Sequence, residues 1–292
     1  MSRLGHTLKS NRDAGHPSLG IFLTNGYPPS LDTLSVMNAV ARGGADFVEL
    51  GMPFSDPLGE GKTIQRSNER ALAAGVRFSD AFKVASAFRA GHETPLALMG
   101  YVNPVLRYGI GNFFRDARSS GVDAVILPDL PPEEAEPLRL EAAAAEIDLV
   151  FLIAPTTPDV RIRMIDNLST GFVYAVSVAG LTGGAVDRAT DPGAYLRRAR
   201  ALAVRNPLLV GFGISSHDDV VRMSAHCDGC IVGSAFIREL ERLWNADAHD
   251  ASDCLRTVEE FVSELKHGPT TRPDLPTAKT GVSPRAETDR RR

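Results

Sequence analysis

The stretch VELGMPFSDPLGEGKTIQ, residues 48–65, carries two carboxylates, Glu49 inside an apolar run and Glu60 in the Pro/Gly-rich loop that follows it. A charge at the end of a buried strand is costly unless the strand opens onto a cavity. Hemmed there by Phe22, Tyr101 and Tyr174 from other strand ends, Glu49 would be partly desolvated, which raises a carboxyl pKa toward values useful for proton transfer near neutral pH. The plainer alternative is a carboxylate held by backbone N–H groups or a surface ion pair.

Three glycine clusters form the second chemical signal. AGLTGGA (179–185), GFGISS (211–216) and VGSAFIREL (232–240) follow three successive apolar runs, and the last two bring a hydroxyl residue and a helix after the glycine. Backbone N–H groups at such turns, backed by a helix N-terminus, bind phosphate. Each cluster alone could be a tight turn, and it is their succession that favours an anion site.

Something must bring these residues to one face. Eight short apolar runs recur: 19–23, 46–50, 95–99, 123–127, 148–153, 172–176, 207–212 and 229–233. Between them lie stretches with helical spacing, such as Leu34, Met37, Val40 and Ala41 after Ser30 as N-cap, or Phe82, Val84, Ala85 and Phe88. Near-continuous apolar strands alternating with amphipathic helices predict a parallel sheet covered by helices. Eight such units predict an α/β fold of the (β/α)8 TIM barrel type, whose chemistry sits at the C-terminal ends of its strands. An open doubly wound sheet would want a Gly-rich turn after the first strand, and TNGYPPS has a single glycine.

Composition narrows the partners. A formal net charge of −4 over 292 residues gives no bulk attraction to nucleic acid or anionic membranes. The N-terminus lacks the apolar core of a secretory signal, and no run reaches membrane-spanning length, so the expected location is cytoplasmic. Three cysteines are too few for a disulfide framework. Cys227 and Cys230 form a C-x-x-C, but the second opens the strand-like CIVGSA, so they read as small core residues. No histidine sits at a strand end, and no metal site is expected. The expected organisation is one barrel with an N-terminal helix over residues 1–267 and a disordered tail, rich in Pro, Thr and charge, over 268–292.

At these residues the sequence resembles the tryptophan synthase alpha chain family. The likeness runs through LGIFLTNGYP, GGADFVELGMPFSDPLGEGKTIQ, MGYVNPVLRYG, GVDAVILPDLPPEE, IAPTTP, SVAGLTG, VGFGISS and IVGSAF. It implies retro-aldol cleavage of indole-3-glycerol phosphate to indole and glyceraldehyde 3-phosphate without cofactor or metal, beside a beta chain in an alpha2-beta2 tetramer. By the family's pattern Glu49 is the acid/base and Glu60 the second carboxylate, which steadies positive charge on the indole ring. Gly183, Gly213, Gly233 and Ser234 would hold the phosphate. Phe22, Tyr101, Tyr174 and Phe212 would line the indole pocket, with Thr182 reaching Glu60 on loop closure; Asp56 and Pro57 would meet the beta chain.

The chain also departs from the family. Glu60 and Lys62 stand where Asp and Pro are usual, and AGLTGGAV differs at Ala179 and after Gly184. Lys62 loses a stiff helix-starting proline and could pair with Glu60, lowering its pKa. These differences keep two further readings open at this point: a free-standing or diverged lyase supplying indole to a specialised pathway, and a non-catalytic phosphate-sensing barrel that activates a partner.

Overall fold

The computed structural model describes residues 2–176, 191–245 and 250–269. Eight parallel strands close into a barrel in sequence order. They are β1 (Ser18–Thr24), β2 (Phe47–Gly51), β3 (Leu96–Met99), β4 (Ala124–Ile126), β5 (Asp148–Ile153), β6 (Val173–Ala175), β7 (Leu208–Val210) and β8 (Gly229–Val232). Each of the eight apolar runs coincides with one strand to within two residues at either end, as the (β/α)8 expectation requires. Residues buried on both faces explain why the runs are continuous rather than alternating.

Side chains two apart on a strand share a face, and contacts across the barrel identify the inward face. The ring of Phe47 on β2 lies 5.9 Å from that of Phe172, which precedes β6, and Phe172 lies 5.7 Å from Tyr174. Gly20 of β1 leaves the room that Phe47 fills; a Cβ there would lie 2.2 Å from its Cζ. These rings form an inner layer. Burying each stabilises the fold by roughly 1.5–3 kcal/mol. One repeat further along the strands, on the same face, come Phe22, Glu49 and Tyr174.

The opposite end of the barrel is pinned by a repeated device. Asp46, just before β2, accepts the Leu19 amide at 2.6 Å, and Asp123, before β4, accepts that of Leu96 at 2.9 Å. Thr170 accepts the Leu149 amide at 2.8 Å, and Asp228, before β8, accepts that of Leu208 at 2.8 Å. Every odd-numbered strand is thus held at its start by a side chain leading into the next strand. Asp123 further pairs with Arg3 at 2.8 Å and Arg89 at 2.9 Å.

Two local expectations change. The helix Thr33–Arg42 is capped by Asp32, whose carboxylate accepts the Ser35 amide at 3.0 Å, and not by Ser30. The runs beginning at Asp46 and Asp123 also start one residue early, because both aspartates serve as the side-chain acceptors just described. The N-terminal helix is Arg3–Asp13 and the last described helix is Ala251–His267. No described helix is long and apolar enough to cross a membrane.

Candidate active site

β2 delivers Glu49 to the barrel interior. Phe22 of β1 is its register partner and Ala97 of β3 its neighbour on the other side. The residue is 0 % exposed, and among the described residues neither carboxyl oxygen has a hydrogen-bond partner. Burial, and then the nearby Glu60 carboxyl, hold its pKa well above the ordinary carboxylate range. The shift favours the protonated form, which eases the cost of placing Glu49 among apolar strands.

Beyond Glu49, glycines make the room that aromatic rings fill. A Cβ on Gly51 would lie 2.8 Å from the Phe22 ring, and one on Gly211 would lie 2.2 Å from that of Tyr174. Tyr174 faces both acids, which, after burial, push its phenol pKa up.

Glu60 sits in the loop after β2, half-buried, with a pKa that burial pushes up to about 7. The expected pairing with Lys62 does not occur. Lys62 is exposed as the first residue of the helix Lys62–Ala73, and no ion pair with it contributes to the Glu60 shift. Burial at the barrel mouth therefore sets the Glu60 proton affinity, with its sign opposite to that of an ion pair. Tyr101 belongs to the Glu60 side of the site. Its ring stacks on Phe54 at 5.0 Å, and its pKa is raised by burial and by Glu60. Its hydroxyl is buried beside Gly59 without a well-formed hydrogen bond.

The phosphate candidates come from two strand ends. Gly233 lies between β8 and the helix Ser234–Asn245, and a Cβ on it would touch Phe22 and Ile64 at 3.6 Å. Gly213 has φ +69 and is exposed in the turn before the helix His217–Ser224. A positive φ is the reason for glycine there. Phe212 is half-buried and stacks on Tyr195 at 6.4 Å. Thr182 and Gly183 lie outside the described residues.

In the loop expected to meet a partner, Asp56 is exposed, whereas Pro57 is buried against its own chain; the exposed apolar group is Leu58, at 78 %. Residue type alone could have drawn attention to Leu58, an aliphatic side chain in a polar loop. Sequence reasoning also passed over Phe54 and the helix residues Ile64, Gln65 and Asn68, which read as ordinary helix. Cys227, Cys230 and Cys254 are free thiols and buried. Among the described residues no three or more His, Cys, Asp or Glu gather as metal ligands.

The profile of the family described as "Tryptophan synthase alpha chain" matches residues 8–269. The chain belongs to the tryptophan synthase alpha chain family. A tryptophan synthase alpha chain from Roseiflexus castenholzii is 44% identical over 243 residues, covering 83% of this chain and 93% of the relative. One from Geobacter sp. strain M21 is 39% identical over 268 residues, covering 92% and 98%. The crystal structure of tryptophan synthase subunit alpha from Legionella pneumophila str. Paris superposes with a TM-score of 0.82 at 34% identity, over 92% of this chain and 98% of that one.

Proposed function

We propose that Glu49 and Glu60 carry the carbon–carbon lyase reaction of this family, the cleavage of indole-3-glycerol phosphate in tryptophan biosynthesis. The observation that carries the assignment is Glu49 itself, fully enclosed and without a hydrogen-bond partner among the described residues, with burial favouring its protonated form. The acid gives its proton to C3 of the indole ring, and positive charge spreads to the ring N–H. The Glu60 carboxylate accepts that N–H and stabilises the charge as it develops. The Glu49 carboxylate then takes the proton of the hydroxyl on the adjoining carbon. As the C–C bond breaks, its electron pair restores the indole ring and the oxygen becomes the aldehyde of glyceraldehyde 3-phosphate. Glu49 ends protonated, as it began.

Gly213, Gly233 and Ser234 are assigned to the phosphate, and Phe22, Tyr101, Tyr174 and Phe212 to the walls of the indole pocket. Gly183 and Thr182 are assigned to the phosphate and to the closing loop by family resemblance alone. The beta chain is the partner, met by the loop that contains Asp56, Pro57 and the exposed Leu58. The division into a barrel over residues 1–267 and a tail is a proposal that the family match ending at residue 269 supports; residues 270–292 lie outside the described residues. A cytoplasmic location accords with the absence of a membrane-crossing helix among the described residues.

Purified protein should release indole from indole-3-glycerol phosphate, slowly alone and faster with a beta chain. Glu49→Gln should lower kcat by about 10²–10⁴-fold, the usual scale of general acid–base catalysis, while circular dichroism stays unchanged. A Glu49→Gln enzyme with most of its activity would remove that residue from the chemistry.

A further inference from the structure

The helix Lys62–Ala73 starts two residues after Glu60 without a side-chain cap, and its first two turns meet the acid loop, the end of β1 and Gly233. Gln65 donates from Nε2 to the Glu60 carbonyl at 2.9 Å. Asn68, 6 % exposed, accepts the Phe54 amide through Oδ1 at 2.9 Å and donates from Nδ2 to the Ile64 carbonyl at 2.9 Å. Ser67 shares a 2.6 Å hydrogen bond with Thr24 at the end of β1. Ile64 lies against Gly233.

The loop between Phe54 and Glu60 is therefore held at both ends by amide side chains of one helix. Phe54 stacks on Tyr101, so the Asn68 bond also fixes that aromatic wall. Among the described residues no side chain hydrogen-bonds the Glu60 carboxyl, so the place of that group follows from its backbone. A glutamate has one more rotatable bond than an aspartate, which makes the anchoring of its backbone more consequential.

We propose that Gln65 and Asn68 are positioning residues that set the reach of the Glu60 carboxylate by pinning the two ends of its loop. This rests on the role assigned to Glu60 above. Neither amide touches the reacting atoms; both act through the loop. Because the same turn packs Ile64 on Gly233, the helix also keeps a fixed distance between the acid loop and the strand-eight glycine.

A double-mutant cycle on the full chain tests it. Gln65→Met removes the donor while keeping length, and should lower kcat about 10–100-fold with KM little changed, the scale expected for a misplacement near 1 Å. In a Glu60→Gln background the same change should cost almost nothing further, because the group it positions is already disabled. Asn68→Ala, carried through the same cycle, should behave alike, and it keeps the test intact if Gln65→Met folds poorly. An equal loss in both backgrounds, or a Gln65→Met enzyme with wild-type kcat, overturns the proposal. If the wild type releases no indole, the lyase reading itself has failed; an active wild type with an inert Glu49→Gln and a fully active Gln65→Met refutes the positioning role alone.

Discussion

Phe22 and Glu49 are register partners on adjacent strands, and both side chains are buried on the inner face of the barrel. Burial, and then the nearby Glu60 carboxyl, raise the Glu49 pKa well above the ordinary carboxylate range, with consequences for folding as well as for chemistry.

Stability should fall as pH rises. Both acids have folded-state pKa values above their ordinary 4.5, Glu60 at about 7 and Glu49 well above the ordinary value. The folded chain therefore keeps protons that the unfolded chain loses, and their contribution is complete below about pH 4.5 and lost as pH passes the folded values. Glu49→Gln, which cannot ionise, should melt at a higher temperature than the wild type near pH 8, with the gap closing toward pH 4. A gap that does not depend on pH would show that Glu49 does not titrate as its burial requires.

The pH dependence of kcat/KM should have a rising limb near pH 7, where Glu60 ionises and becomes able to accept the ring N–H. A falling limb at higher pH should follow the loss of the Glu49 proton. Glu60→Gln should flatten the rising limb and leave the falling one. Steady-state rates between about pH 5 and 10 check both.

Glu60→Asp addresses the extra methylene. With the loop backbone tied to Gln65, the shorter side chain draws the carboxylate back toward the loop. If the glutamate overreaches a site shaped for aspartate, kcat should rise by up to about tenfold, within what a displacement of 1 Å can command. An unchanged or lower kcat would show a site adapted to glutamate.

The far rim should behave independently. Asp228 accepts the Leu208 amide at 2.8 Å and pairs with Arg200 at 3.1 Å. Asp228→Ala strands that amide and should cost about 1–3 kcal/mol in urea unfolding, with kcat unchanged, because this end of a barrel carries stability and not chemistry.

The barrel was legible because fully buried parallel strands leave an unmistakable trace, and each of the eight runs overlaps its own strand. Boundaries were less so. Asp46 and Asp123 read as strand residues although they precede the strands, since an acceptor for a backbone amide on a neighbouring strand leaves no periodic mark. Glu49 stood out as a charge in an apolar run. The Glu60–Lys62 pairing was wrongly expected because adjacency in sequence says nothing about which way a side chain leaves a helix N-terminus. Gln65 and Asn68 were invisible for a similar reason: polar residues on a helix ordinarily face water, and only coordinates reveal that these two meet backbone groups of a neighbouring loop.

β1 pairs with β2 on one side and with β8 on the other. During synthesis Ser18–Thr24 must therefore wait for Gly229–Val232 to leave the ribosome, an interval of about 10–40 s at ordinary elongation rates. Until then the nascent sheet has an uncovered border of amides and carbonyls able to join a neighbouring chain. For this protein the hazardous moment for aggregation comes before the polypeptide is finished, and a chaperone that shields that border would act on the translating ribosome rather than on the released enzyme.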